Sequence, residues 1–311
     1  MAPSSDTRRP PQGITLVELL VVMAIVAIVV TLAAPALSRA MSRSQLTRCT
    51  NNAYQIAFAL QRYDEQRGNI PGWLNANPLN SLNTTGTGVC SWPVALLPFI
   101  GRSDVYDMWP QLPNNPSVDL FICASNRPDK RITYPVLHYA CNIGATGTAA
   151  NDGAFLNLAS GTGMRLSLDD IAEADGTATT LAFTEKSSLG IMPNSWTYAS
   201  TAVPSGSLFG SGTTVPPVFG ASGLAVYPVI NGTTTRTYAP SSQHSGGVVV
   251  AFCDGHTAFL RNDLQPYEYG QLLTPRSRWQ GNVNKTNSTA MQPWLLRNGQ
   301  PYLLDEKVIK Q

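Results

Sequence analysis

The segment "GITLVELLVVMAIVAIVV", Gly13 to Val30, decides how the chain is built, because it joins a long apolar run to one carboxylate. From Leu19 to Leu37 the only polar side chain belongs to Thr31, and these 19 residues suffice to cross a bilayer core as a helix. Glu18 directly precedes this run. A charge at the centre of a membrane helix costs about 2.5–3.5 kcal/mol, so a membrane segment that keeps this carboxylate needs an explanation. The leader, residues 1–12, contains two arginines, which favour a cytoplasmic N-terminus.

Three interpretations fit this N-terminal segment. A secretory signal peptide would be cleaved after a small residue such as Ala36 or Ala40, and it would place Glu18 inside its apolar region. An ordinary uncleaved anchor explains neither Gly13 nor Glu18. The third interpretation explains both, because Gly-Ile-Thr-Leu-Val-Glu after a short basic leader resembles the type IV prepilin signature.

The resemblance to prepilins implies a processing site and an assembly residue. A membrane-bound prepilin peptidase would cut between Gly13 and Ile14 and methylate the new N-terminal amine. Glu18 would then be the fifth residue of the mature chain and would face the amine of a neighbouring subunit. Since a buried charge is tolerable when it is paired, we interpret Glu18 as an assembly determinant. Pro35 matches the proline at the kink of the family's helix.

The helix is predicted to continue beyond the membrane segment. Apolar residues recur at spacings of three and four, typical of one helical stripe, and Gly68 supplies a stop signal; the stripe is Leu46, Cys49, Ala53, Ile56, Leu60 and Tyr63. We therefore predict a helix from Ile14 to Arg67, about 80 Å long, with a membrane half (14–37) and an amphipathic half (38–67) after the leader (1–13). Cys49 on the stripe is either a buried apolar residue or the partner of Cys123 or Cys90 in a disulfide.

The rest of the chain is predicted to be a β-rich globular domain, residues 68–279, followed by an extension, 280–311. Segments bounded by Pro, Gly, Asn or Asp and rich in β-branched or aromatic residues indicate strands at 119–125, 131–144 and 177–186, and a short helix is expected within 90–110. The fold class is thus α+β and pilin-like, one long helix packed on a mainly antiparallel sheet with long loops. Residues 187–235 carry no charge and are either surface loops or a contact between subunits.

A second signature lies near the C-terminus in "SSQHSGGVVVAFCDGHTAFL". Gly247 to Cys253 is strongly β-forming, and Asp254-Gly255 favours a type I′ hairpin turn before the return strand. His244, nine residues and then Asp254-Gly255 resemble the motif of bacterial proteins of unknown function that combine a prepilin-type N-terminus with this C-terminal pattern. Four further segments are similar to that family: the helix after Cys49, "SWPVALLPFI", "FICAS" around Cys123, and "DGTATTLAFTEK" with Glu185.

The histidines do not indicate an active site. Ten extended residues span about 33 Å, so His244 and Asp254 cannot touch unless the chain doubles back. We interpret Asp254 as a turn former and His244 as a strand-entry residue that bonds a nearby loop. His256 could approach Asp254, and His138 lies on an apolar strand as a core residue. Without a nucleophile at suitable spacing, the sequence predicts no enzymatic activity.

Composition and the spacing of possible metal ligands bear on nucleic-acid binding and on metal binding. Charged residues make up 13% of the chain and the net charge is +2, so no basic patch points to nucleic acid. The five cysteines form no C-x-x-C pair, so zinc and thioredoxin-like spacings are missing, and no cofactor is predicted. The metal candidates are weak calcium ligands near "LSLDDIAEADGT", namely Asp169, Asp170, Glu173 and Asp175, and this segment also suits a solvated helical turn.

Together these patterns predict a structural pilin-like or pseudopilin-like subunit of the cell envelope. It would be a single-pass inner-membrane protein with a cytoplasmic N-terminus and a periplasmic or extracellular domain, either retained in the membrane or assembled into a filament. Its expected partners are the membrane, prepilin peptidase and other pilin-like subunits. The alternative is an anchored envelope module that binds a glycan or a protein without assembling.

Overall fold

The computed structural model of the chain describes residues 15–76, 89–108, 117–126, 136–144, 153–158, 165–186, 194–195, 218–219, 230–231, 240–264, 266–273, 275, 296–297 and 300–301. It divides into two compact units, Met1–Ser44 and Gln45–Gln311. Much of the uncharged region 187–235 and of the extension 280–311 lies outside the described residues. The predictions for those regions therefore stay predictions.

Helix α1, Leu16–Arg67, begins at a capping box. The backbone N–H and the hydroxyl of Thr15 each donate to Oε2 of Glu18 at 2.9 Å, and the Glu18 N–H donates back to the Thr15 hydroxyl at 3.3 Å. The helix continues through Pro35, which has no N–H to offer the carbonyl of Thr31. The predicted helix is confirmed from Leu16 onward, whereas the angle of a bend at Pro35 stays a prediction.

The first unit contains the apolar half of α1, and its side chains are exposed from Thr15 to Ser44. Among the described residues, α1 is the helix long and apolar enough to cross a membrane. By length and composition the segment therefore fits a single membrane span.

The second unit contains the amphipathic half of α1, where the predicted stripe is confirmed. Cys49, Ala53, Ile56 and Leu60 are buried, and Leu46 and Tyr63 pack against the same core at partial burial. After Arg67, Gly68 adopts φ +69° and its N–H donates to the Asp64 carbonyl at 2.7 Å, which ends the helix.

The remaining helices are short, and they include the helix expected within 90–110. A 3₁₀ turn, Leu97–Ile100, follows the first of them. The helices are α2 Trp92–Leu96, α3 Ser103–Asp107, α4 Leu168–Glu173 and α5 Pro266–Leu273.

The strands form a mainly antiparallel arrangement, as predicted. The strands are β1 Leu74–Ala76, β2 Val89–Ser91, β3 Val136–Leu137, β4 Tyr139–Asn142, β5 Asn157–Leu158, β6 Leu181–Glu185, β7 Asn194–Ser195, β8 Val218–Phe219, β9 Gly247–Phe252, β10 Thr257–Arg261, β11 Leu296–Arg297 and β12 Gln300–Pro301. Within the described residues the largest sheet has the order β10-β9-β6-β4-β8, with a parallel pair at β4–β8, and a smaller sheet has the order β2-β1-β5. Two further antiparallel pairs are β3–β7 and β11–β12.

Both faces of the large sheet are buried. Val249 and Ala251 of β9 join the core under α1, whereas Val248, Val250 and Phe252 join a second cluster with α5. This split follows from the two-residue period of a strand, which sends alternate side chains to opposite faces. It also explains why the sequence of β9 alternates so weakly between apolar and polar residues.

The strand predicted at 119–125 is wrong. Residues Asp119–Phe121 form a 3₁₀ turn, in which the N–H of Phe121 donates to the Val118 carbonyl at 2.9 Å and that of Ile122 to the Asp119 carbonyl at 3.1 Å. The Asn126 N–H then bonds the Cys123 carbonyl at 3.1 Å, so the segment turns twice. The apolar residues of this segment pack in the core without forming a strand. Cys123 therefore lies in a turn beside α1.

Candidate functional site

The candidate site is a buried cluster beneath α1, built from four separate elements. Cys49 lies on the buried stripe of α1, and Cys123 lies in the turn after the 3₁₀ segment. The structure joins these two cysteines by a disulfide, with their Cα atoms 5.2 Å apart. The Ala124 N–H donates to Sγ of Cys49 at 3.1 Å, and the amide of Asn52 donates to the Ile122 carbonyl at 3.1 Å. The turn is thereby fixed against the helix.

His138 fixes the other side of the same turn. Its Nδ1 accepts a hydrogen bond from the backbone N–H of Cys123 at 3.1 Å, and the backbone N–H of His138 donates to the Phe121 carbonyl at 2.8 Å. Burial lowers the pKa of His138 to about 4, so the ring is neutral at physiological pH and Nδ1 is free to accept. The prediction of a satisfied core histidine agrees with this geometry.

Glu185 and His244 complete the cluster. Glu185 ends β6, is 1% exposed, and accepts the Val249 N–H at Oε2 at 3.0 Å. Its other oxygen, Oε1, lies 3.0 Å from Sγ of Cys123 and 3.3 Å from Nε2 of His244. His244 is itself buried just before β9, where its N–H donates to the Ser242 hydroxyl at 3.1 Å.

The cluster has the composition of a catalytic triad without its geometry. Nε2 of His244 faces Oε1 of Glu185 at 3.3 Å, the Ser125 hydroxyl at 3.4 Å and Sγ of Cys123 at 3.6 Å. In a triad the carboxylate bonds one ring nitrogen while the nucleophile faces the other. Here carboxylate, hydroxyl and sulfur all converge on a single nitrogen, which suits a hydrogen-bonded cluster or a set of metal ligands.

The Asp254-Gly255 pair occupies the tip of the β9–β10 hairpin, but the turn is not type I′. That turn needs positive φ at both central residues, and among the described non-glycine residues positive φ occurs at Asn231. Instead the Gly255 N–H donates to the Phe252 carbonyl at 3.0 Å and the Phe252 N–H donates to the His256 carbonyl at 2.9 Å, closing a three-residue loop. Gly255, at φ +90°, supplies the left-handed position of that loop.

This turn type is set by tertiary bonds. The N–H groups of Cys253 and Asp254 donate to the carbonyls of Thr180 and Thr177 at 3.0 and 3.2 Å, which pulls the tip onto the turn before β6. Asp254 also meets His256 as predicted, with Oδ1 2.6 Å from Nδ1.

The two ends of the His-(nine residues)-Asp-Gly motif are connected to α1 at different levels. Nε2 of His244 lies 3.6 Å from Sγ of Cys123, which is disulfide-bonded to Cys49 of α1, and the Asp254 carbonyl accepts the Gln61 side-chain amide at 2.7 Å. Along the helix, Cys49 and Gln61 are about 18 Å apart at 1.5 Å per residue. The motif therefore holds β9 along the amphipathic half of α1, and its histidine and aspartate have separate partners.

Two family models match the chain. Residues 43–266 match the model described as a protein of unknown function, DUF1559, and residues 8–34 match the prokaryotic N-terminal methylation motif. The first match covers well over half of the sequence. The chain belongs to the DUF1559 family. No significant match is found among curated proteins or among solved structures.

In this DUF1559 protein the methylation motif points to a pilin-like precursor, and it confirms the resemblance to prepilin-type proteins. Gly13 and Ile14, which flank the expected cleavage point, lie outside the described residues. Glu18 is described and exposed, and its carboxylate closes the capping box with Thr15. This second role for Glu18 was missed from the sequence, although Thr-x-x-Glu at a helix start is its signature.

The calcium prediction gains no support in the DUF1559 protein. Asp170 closes a capping box with Ser167, whose N–H and hydroxyl both donate to Oδ2 at 2.8 Å. Asp169 and Asp170 stand in the first turn of α4, as expected for a solvated helical turn. In the described part of the chain, the His, Cys, Asp and Glu side chains that come together in a group of three or more are those of Cys49, Cys123, Glu185 and His244.

Glu185 is the functional candidate that sequence reasoning left without a role. In the sequence it only ends a strand similar to that family's, and its partners are distant along the chain: 62 residues to Cys123 and 64 to Val249. The available signal is a carboxylate at the end of a largely apolar strand, because buried charges need partners.

Proposed function

We propose that this DUF1559 protein is a structural pilin-like or pseudopilin-like subunit. Prepilin peptidase would cleave it after Gly13, and its helix would anchor it in the inner membrane or pack against other subunits. The N-terminus would start in the cytoplasm, and the domain of residues 45–311 would lie in the periplasm or outside the cell.

The observation that carries this proposal is the exposed apolar surface of the first unit, which begins within the methylation motif at residues 8–34. The large apolar side chains of the first unit, from Leu16 to Met41, each have about half or more of their surface accessible. Soluble monomers rarely expose contiguous apolar patches of more than a few hundred Å². Lipid would cover this surface in the membrane, and neighbouring helices would cover it in an assembly.

Glu18 supports assembly over simple anchoring. Its Oε2 accepts hydrogen bonds from Thr15, a neutral residue, so the charge is solvated by dipoles rather than neutralised. The methylated amine of an adjacent subunit would supply the opposite charge. Pairing that forms only between subunits favours the assembled state over the isolated helix in lipid.

No catalytic role is part of the proposal. The sulfur beside His244 and Glu185 belongs to Cys123, which is buried and disulfide-bonded. A substrate would need access to that sulfur, and the triad geometry is not met. The domain is better suited to present a surface than to perform chemistry.

Processing is tested by intact-mass measurement of the protein isolated from its native membrane. We expect a mass that lacks residues 1–13 and carries one added methyl group on Ile14. A mass that retains the leader contradicts the proposal, and cleavage after Ala36 or Ala40 indicates a secreted protein instead.

Assembly is tested by a variant series at the capping box. Glu18→Gln keeps a side chain that can close the box but removes the charge, whereas Thr15→Ala weakens the box and keeps the charge. If charge pairing drives assembly, Glu18→Gln loses cross-linkable oligomers in the membrane and Thr15→Ala retains them. If Glu18→Gln leaves localisation, abundance and oligomers unchanged, the alternative of an anchored glycan- or protein-binding module is favoured.

A further inference from the structure

The buried cluster beneath α1 brings together four side chains that are all metal ligands by chemistry. Sγ of Cys49, Sγ of Cys123, a carboxylate oxygen of Glu185 and a ring nitrogen of His244 lie within 4.8 Å of one another, and all four residues are buried. Two sulfurs, one nitrogen and one oxygen form a set that proteins use for tetrahedral Zn²⁺.

We propose that the dithiol form of this protein binds one Zn²⁺ ion through Cys49, Cys123, Glu185 and His244. Zinc–ligand bonds of 2.0–2.3 Å place tetrahedral ligand atoms about 3.3–3.8 Å apart. His244 Nε2 lies 3.3 Å from Glu185 Oε1 and 3.6 Å from Cys123 Sγ, in that range, and the Cys123–Glu185 separation of 3.0 Å is slightly below it. Three of the four ligands therefore need only small adjustments.

The surroundings of the ligands are those of a metal site. The Ala124 N–H donates to Sγ of Cys49, and the Val249 N–H donates to Oε2 of Glu185, which leaves Oε1 directed at the other ligands. Ser125 places its hydroxyl 3.1 Å from Sγ of Cys123. Outer hydrogen bonds of this kind orient ligands and raise metal affinity.

Zinc binding and the disulfide are mutually exclusive states of the same two sulfurs. On binding, each thiol loses its proton to solvent and each sulfur gives a lone pair to Zn²⁺, so no atom changes oxidation state. Forming the disulfide from the two zinc-bound thiolates removes two electrons and releases the ion. It requires an oxidant such as the disulfide of a thiol oxidoreductase, which takes up the two electrons with two protons from solvent and becomes a dithiol. Either state would connect α1 to the turn at Cys123, and zinc would also include β6 and the segment before β9.

The test uses the full chain in detergent, reduced under anaerobic conditions and titrated with Co²⁺ and then Zn²⁺. We expect one Co²⁺ per chain, a thiolate-to-cobalt charge-transfer band with tetrahedral d–d bands, and displacement by one Zn²⁺. The oxidised chain should show none of these signals. A reduced wild-type chain that binds no stoichiometric Co²⁺ or Zn²⁺ overturns the proposal, whatever the variants do.

Variants assign the ligands. His244→Ala and Glu185→Gln should each weaken Zn²⁺ affinity by about tenfold or more. Cys49→Ser should weaken the charge-transfer band, because Cys123 is then the one thiolate left in the site. The matched controls are His256→Ala and Cys90→Ser, because both lie outside the cluster, and they should leave affinity and spectrum unchanged. Circular dichroism checks that each variant is folded. Affinity that survives both His244→Ala and Glu185→Gln contradicts the four-ligand site.

Discussion

In the first half of α1, Val26 is 51% exposed, whereas Ile56 in the second half of the same helix is fully buried. The residues are similar in size and polarity, so composition does not explain the difference. What differs is the covering: the sheet domain buries the stripe around Ile56, and the helix around Val26 has no protein covering within its unit. The two halves of one helix therefore lie in different surroundings, and substitutions in each half should have different effects on stability.

The connection between α1 and the turn at Cys123 should give the largest effect on the second half. The disulfide closes a loop of 74 residues, and chain-entropy arguments give about 4.5 kcal/mol of stability for such a loop. We expect Cys123→Ser to lower the free energy of unfolding of the oxidised protein by an amount of this order, measured by urea denaturation in detergent. The buried free cysteine variant Cys90→Ser serves as the control, and equal losses in the two variants would contradict the prediction.

The comparison itself is tested by a matched pair of truncations. Ile56→Ala should cost about 3.5 kcal/mol, within the roughly 2–5 kcal/mol measured for buried Ile to Ala changes. Val26→Ala should leave the stability of the domain within about 0.5 kcal/mol of wild type, because the Val26 side chain is half exposed in the first unit. Denaturation of both variants decides the matter. A comparable loss for Val26→Ala would contradict the expected difference between the two halves.

How far the sequence predicts this protein depends on whether the deciding contact is local. The buried stripe and the β9–β10 hairpin were predicted, because helical spacing and Asp254-Gly255 are local signals. The predicted type I′ turn was wrong, since the N–H groups of Cys253 and Asp254 donate to the distant carbonyls of Thr180 and Thr177.

The cluster shows the same limit for the candidate site. Zinc was set aside from the sequence because no C-x-x-C pair exists, yet the four candidate ligands come from four elements and meet only in the folded domain. The strand predicted at 119–125 failed similarly, because tertiary packing on α1 turned an apolar segment into a 3₁₀ turn. Spacing motifs detect only sites whose ligands are close in sequence.

Acid should destabilise the second half through His138. Its pKa is lowered by burial from 6.5 to about 4, so between these pH values the unfolded chain binds a proton that the folded chain does not. The contribution of neutral His138 to the free energy of unfolding is thus fully present above pH 6.5. This contribution is lost as the pH falls toward 4, and the loss is on the order of 3 kcal/mol. His138→Asn keeps an acceptor for the Cys123 N–H and does not titrate. Its stability curve should be flatter over this window, and a slope equal to wild type would exclude His138 as the cause.

The smallest predicted effect concerns the tip of the hairpin, where Gly255 meets α1. At φ +90° an alanine is strained, and its Cβ would lie 2.9 Å from Nε2 of Gln61, the group that donates to the Asp254 carbonyl. Gly246 offers a control at φ +89° with no atom within 4 Å of an added Cβ. Both alanine variants carry the backbone strain, but only Gly255→Ala displaces the amide.

Gly255→Ala should therefore cost more than Gly246→Ala by the value of one hydrogen bond, about 0.5–1.5 kcal/mol. Adding Gln61→Ala separates the contributions: it removes the bond and frees space, so the two glycine variants should then cost the same. Urea denaturation of the wild type, the three single variants and the two double variants measures this cycle. A difference between the glycine variants that persists without Gln61 would mean that the Asp-Gly tip is needed for the turn alone. Its contact with the amphipathic half of α1 would then contribute nothing.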